Sequence, residues 1–143
     1  MALAVADASV VVKWFVAEPD YEPAQRLQSD FFEGILQLRE PAILPWEVMS
    51  ALRYSGRFPR RDLREAGRTL DRAGFVTIPL FGDYLERTMQ IALETHLSIY
   101  AASYAGLAAI GQCPLFTADE EFLELRIEGL SVHHIRDYAL PSA

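Results

Sequence analysis

Leu3-Ala4-Val5-Ala6-Asp7-Ala8-Ser9-Val10-Val11-Val12-Lys13-Trp14-Phe15 is the stretch on which the fold turns. Residues 3–6 are short, apolar and uninterrupted, as in a strand covered on both faces. They stop at Asp7. A carboxylate at the C-terminal end of a buried strand sits where open α/β sheets place their ligands. A charge there costs free energy unless something neutralises it. Helix capping also accounts for Asp7, because Asp is a favoured N-cap. The same pattern, an acid just after an apolar strand or at a helix start, recurs at Glu47 and Asp119.

Outward from that stretch the elements alternate. Residues 3–7 read as a strand, and a helix runs from Ser9 to about Ala17, before Pro19. Residues 20–33 read as a second helix, stopped by Gly34. Pro41-Ala42-Ile43-Leu44 reads as a short strand, and Pro45 suits the first turn of a helix running to Gly56. Residues 59–73 form an arginine-rich helix closed by Gly74. Phe75–Ile78 is a β-branched strand ended by Pro79. Helices follow at about 82–95 and 98–110. Pro114–Thr117 is a strand, a short helix follows Asp119, and Ser131–Ile135 is a last strand. Strands separated by helices require crossovers, hence a mostly parallel sheet with helices on both faces.

With 143 residues the chain is read as one domain over 1–140 with a short tail, 141–143. Its one cysteine, Cys113, rules out an internal disulfide and fits a reducing, cytoplasmic setting. No basic n-region precedes the first apolar stretch, and Asp7 and Lys13 interrupt it. Neither a signal peptide nor a membrane span is expected.

The net charge of −7 has the wrong sign for a general nucleic-acid binder. The distribution says more. Residues 53–72 hold Arg53, Arg57, Arg60, Arg61, Arg64, Arg68 and Arg72 against Asp62, Glu65 and Asp71, a net +4, while the other residues carry −11. Two readings fit this segment equally well: a solvated helix face with spaced ion pairs, or a path for phosphates.

In a parallel sheet all strand C-termini share one edge, so Asp7, Glu47 and Asp119 can converge despite their separation in sequence. Converging carboxylates repel unless protons or cations intervene. Hard, oxygen-preferring cations such as Mg²⁺ or Mn²⁺ suit them. The histidines do not join: His133 and His134 are adjacent in a strand and point to opposite faces. Tyr100 and Tyr104 are one helical turn apart and are assigned to packing, as are Trp14 and Phe15.

The chain resembles the PIN-domain ribonucleases, especially VapC-type toxins. The residues that carry the resemblance are Asp7–Phe15, Pro45-Trp46-Glu47-Val48 with Ala51-Leu52-Arg53, Leu97–Ala108, and Leu115-Phe116-Thr117-Ala118-Asp119. The resemblance implies a PIN-like three-layer α/β fold with about five strands flanked by helices. It implies an acidic cluster holding Mg²⁺ or Mn²⁺, cleavage of RNA phosphodiesters, homodimerisation and inhibition by a small VapB-type antitoxin. It also implies an aspartate after Tyr100, where this chain has Ala101. Ala101 is an excellent helix former that binds no metal.

On this reading Asp7, Glu47 and Asp119 hold the metal, with position 101 depleted. Thr117 orients a ligand or water, and Ser9 does so from the first helical turn, where capping is its competing role. The substrate side is assigned to Ser9, Arg53, Arg57, Arg60, Arg61 and Arg64. A phosphoaspartyl phosphatase is a weaker match, because that chemistry resembles families with a second aspartate where Ser9 stands. A receiver domain would need a lysine late in the sheet, and Lys13 is the only lysine. A PIN-like module that binds antitoxin or RNA without cleaving it is the remaining alternative.

Overall fold

A computed structural model describes residues 1–142; Ala143, the last residue of the expected tail, lies outside them. Five strands, β1 (Ala2–Ala6), β2 (Leu36–Pro41), β3 (Val76–Ile78), β4 (Leu115–Thr117) and β5 (Val132–His134), form one sheet in the order β3-β2-β1-β4-β5. Every pairing is parallel. β1 is central: Ala4 is in register with Leu38 on one side and Val5 with Leu115 on the other. Ala4, Val5 and Ala6 are fully buried, as a strand covered on both faces requires.

The helices are α1 (Ala8–Val11), α2 (Tyr21–Phe32), α3 (Leu44–Tyr54), α4 (Arg60–Arg72), α5 (Gly82–Glu94), α6 (Ile99–Gly111) and α7 (Glu120–Leu123). α5 and α6 pack closely on each other, and Gly106 is the reason they can. A Cβ at Gly106 would collide with the Thr88 hydroxyl and lie 3.2 Å from the Thr88 Cα. Elsewhere in the core Trp14, buried, stacks on Phe75 with ring centroids 5.8 Å apart and touches Phe31 and Phe32. Trp14 is thus a packing residue, as its sequence context suggested. No helix among the described residues is long and apolar enough to cross a membrane.

Two boundaries differ from the sequence reading. The second strand is Leu36–Pro41, not 41–44. Pro41 ends it, and Leu44 already opens α3 with Pro45 in its first turn. The apolar run 41–44 is therefore a strand end, a turn and a helix start. The alternation that marks the true strand is Leu36, Leu38, Glu40, all fully or nearly fully buried. An acid at the third inward position disguised it. The first helix is also shorter than expected: four α-helical residues tighten into a 3₁₀ turn at Val12–Trp14.

Candidate active site at the C-terminal edge of the sheet

Asp7 follows β1 directly, and its backbone N–H still pairs with the Phe116 carbonyl of β4 at 3.1 Å. Its side chain turns back to cap α1 by accepting the Val10 N–H, so the capping role and the site coincide. Both carboxylate oxygens are occupied. Ser9 donates its hydroxyl to Oδ1 at 2.5 Å, and Thr117 donates to Oδ2 at 2.5 Å. Each hydroxyl in turn accepts an amide of the segment after β4. Ser9 Oγ accepts Ala118 N–H at 2.9 Å, and Thr117 Oγ1 accepts Asp119 N–H at 3.0 Å. Two hydroxyls thus tie the ends of β1 and β4 together and set the position of Asp119.

Asp7 is buried, and its carboxyl is pushed up to about 6 by loss of water. The bonds from Ser9, Thr117 and Val10 oppose that rise, and the nearby Asp119 charge adds to it. Asp119 itself is exposed and caps α7 by accepting the Glu121 N–H at 2.9 Å.

Glu47, in the first turn of α3, is in the same neighbourhood and accepts the Tyr104 hydroxyl at 2.5 Å. Tyr104 is buried on α6, so packing accounts for its ring, as expected, while its hydroxyl fixes Glu47. Burial, the Glu47 bond and the charges of Glu47, Glu40 and Asp7 all push the Tyr104 phenol far above its ordinary range. Tyr104 therefore stays a neutral donor at the centre of the acids. Ser98 caps α6 by accepting the Ala101 N–H at 3.1 Å. Position 101 is the third residue of that helix and presents a methyl group.

The acid that sequence reasoning passed over is Glu40. It is fully buried in β2 and accepts the Ala6 N–H through Oε1 at 2.8 Å, one residue before Asp7. Its other oxygen has no partner among the described residues. Burial pushes its carboxyl well above the usual range, and the Asp7 charge adds to the rise. The signal was present as the inward step of the Leu36-Gln37-Leu38-Arg39-Glu40 alternation.

These oxygen donors suit a hard divalent cation in kind. As arranged they do not enclose one: among the described residues no three Asp, Glu, His or Cys side chains form a group that can hold an ion. Asp7 and Asp119 are joined through Thr117, Glu47 stands off on Tyr104, and position 101 supplies no donor.

Arg53 shares a concavity with Trp46 and Ser50 of α3. Arg60, Arg61, Arg64 and Arg68 line one concavity of about 420 Å³ on α4. Arg61 also lies 3.5 Å from Asp62, an exposed pair of little energetic weight. Arg53 lies over the Tyr54 ring, and Arg57 is exposed in the turn between α3 and α4. His134 is buried and accepts the Arg136 N–H, and His133 bonds Ser131; neither bonds to the acids of the site.

Residues 4–128 match the family described as the PIN domain. No curated protein sequence matches the chain. Among solved structures it is similar to a sarcin–ricin-loop-cleaving toxin, VapC20 of Mycobacterium tuberculosis, at 15% identity and a TM-score of 0.65, over 87% of this chain and 99% of that one. It is also similar to VapBC2 of Rickettsia felis, bound to a promoter DNA fragment, at 10% identity and a TM-score of 0.65, over 92% and 98% of the two chains. A toxin–antitoxin complex from Klebsiella pneumoniae matches at 22% identity and a TM-score of 0.60, over 89% and 94%. The structural likeness supports the fold, and the order of strands, the acids at the edge of the sheet and the sequence match agree: the chain belongs to the PIN-domain family.

Proposed function

We propose that this chain is the toxin component of a VapBC-type pair, an endoribonuclease that hydrolyses RNA phosphodiesters at the edge carrying Asp7, Glu47 and Asp119. The observation that carries the reading is Asp7 itself. Its buried carboxyl is clamped by Ser9 and Thr117 at the end of the central strand, with Asp119 beside it. A structural cap would need neither the second hydroxyl nor the second acid. Mg²⁺ or Mn²⁺ is the proposed cofactor, and such an ion supplies water activation and charge stabilisation when bound. With Ala101 the centre is a donor short, and the chain as written is a weak or inactive nuclease.

The protein's own residues have assignable roles. Thr117 and Ser9 hold Asp7 in one rotamer and place Asp119. Tyr104 holds Glu47. The α4 concavity, with Arg53 and Arg57 nearby in sequence, offers phosphates a local positive path on an acidic body. A VapB-type antitoxin and a second copy of the chain are the proposed protein partners. For the second copy, Phe81, Leu85, Met89 and Leu93, each four residues after the last, leave an exposed apolar stripe along α5. Buried Cys113 fits the cytoplasm as the proposed location.

The direct test is single-turnover cleavage of a structured RNA by the chain as written and by Ala101→Asp, with Mn²⁺ and with EDTA. Strong metal-dependent cleavage only in Ala101→Asp is expected. If both proteins are equally active, position 101 lies outside the site. A second reading, a PIN-like module that binds without cleaving, is favoured by the absence of a three-acid group around one point among the described residues. It predicts RNA or antitoxin binding by both proteins and cleavage by neither.

A further inference from the structure

Beside the acidic edge lies a cavity of about 770 Å³, within the usual range of small-ligand sites. Its walls include Trp46, Glu47 and Ser50 of α3, Ile78 of β3, and Tyr84 and Tyr100 of α5 and α6. Glu47 belongs to both the cavity and the acidic site, so the two are continuous. Trp46 immediately precedes Glu47, and Tyr100 immediately precedes position 101. These two rings are left in water: Trp46 is 76% exposed and Tyr100 58%. Tyr100 is therefore not the packing residue its sequence context suggested.

Two large aromatic side chains exposed at the rim of one cavity mark a surface built for contact. The polar atoms nearby narrow the kind of contact. Tyr84 donates to the Ser103 carbonyl at 2.8 Å, Ser103 donates to the Tyr100 carbonyl at 2.6 Å, and Tyr104 occupies Glu47 Oε1. The inner hydroxyls are thus already satisfied. What remains on offer is flat apolar ring surface, the second Glu47 oxygen and the exposed Ser50 hydroxyl. That combination suits a planar heterocycle with a polar rim, adjacent to where a phosphate would meet the acids.

We propose that this cavity receives one unstacked nucleobase of a single-stranded RNA segment, held by stacking on Trp46 and Tyr100 beside the scissile phosphate. Base–aromatic stacking is tolerant of base identity because every base has a π-face. The slot would thus select for strand state, taking loops and unpaired bases and rejecting duplex, rather than for a base sequence. The proposal deepens the ribonuclease reading and rests on it for the position of the phosphate. Base binding itself does not require cleavage.

The test uses the whole chain as written, in EDTA, with a short single-stranded RNA and with the same RNA carrying one abasic position at each site in turn. Trp14 is buried and Trp46 exposed, so acrylamide quenching reports mainly Trp46. RNA should shield that quenching. Trp46→Ala and Tyr100→Ala should each weaken binding about tenfold, and Trp46→Phe should recover most of it. One abasic position should cost as much as Trp46→Ala, and the two together should cost no more than either alone. Binding that is indifferent to both the rings and the missing base overturns the slot and leaves the RNA reading standing. Loss of self-association in Trp46→Ala, measured by sedimentation with RNA affinity unchanged, overturns it in favour of a dimer face. No RNA binding by the parent chain at any salt overturns the slot together with the nuclease reading.

Discussion

The Thr117 hydroxyl donates to Asp7 Oδ2 at 2.5 Å, joining residues 110 apart in sequence. Thr117 Oγ1 also accepts the Asp119 amide, so one side chain sets the spacing of two acids. Thr117→Val, which keeps the shape and deletes the hydroxyl, leaves a buried carboxylate short of a donor. Equilibrium urea unfolding should show a loss of about 1–3 kcal/mol, with Thr117→Ser restoring most of it. An unchanged midpoint would mean the bond does not hold Asp7.

Placing a carboxylate at position 101 should strengthen an ion site for which the present donors are one short. Ala101→Asp is expected to bind Mn²⁺ on the order of tenfold more tightly than the chain as written, because hard-cation affinity follows ligand charge and number. Titration calorimetry reads this directly. A rise in melting temperature with added Mn²⁺ reads it through linkage. Adding Asp7→Asn to that variant should abolish both signals, and their persistence would place the ion elsewhere.

Stability should fall as the solution is made less acidic. The folded Asp7 carboxyl, raised from 3.8 to about 6, holds its proton more tightly than the unfolded chain does. Its contribution is fully present below pH 3.8 and is lost as pH rises to about 6, a change of about 3 kcal/mol. Glu40, whose carboxyl burial holds well above the usual range, adds to the fall. Glu40→Gln keeps an acceptor for the Ala6 N–H and removes the proton. Its denaturation midpoint should therefore be flatter against pH than that of the parent. A parallel pH profile would show that Glu40 is not the source.

Most of this architecture is legible in local sequence signals. The apolar strands bounded by Gly and Pro, and the acids that follow them, are of that kind, and Asp7, Glu47 and Asp119 all lie on the same edge. What escaped was information held between elements. Glu40 takes the inward step of its own strand, but its bond to the Ala6 N–H depends on the register of β2 against β1. Tyr104 and Tyr100 have the same local context, yet one reaches Glu47 and the other faces water. The alternation of Leu36, Leu38 and Glu40 was readable and lost to the more apolar run beside it.

The arginines on α4 give the cleanest electrostatic test. Arg60→Ala, Arg61→Ala and Arg64→Ala combined should lower affinity for single-stranded RNA. The log–log salt slope should flatten by roughly 0.7 for each phosphate that is no longer neutralised. Filter binding from low to moderate salt supplies the slope. An unchanged slope assigns the concavity to a solvated surface or a protein partner and leaves the RNA path elsewhere.

The central place of β1 carries a consequence for synthesis. This strand is made well before β4, whose residues start at Leu115, and its second edge stays unpaired until then. Domains fold as units and non-local pairings come late. Asp7 is translated 110 residues ahead of Thr117, and Asp119 follows later still. A nascent or prematurely terminated chain therefore carries Asp7 without its Thr117 bond and without Asp119.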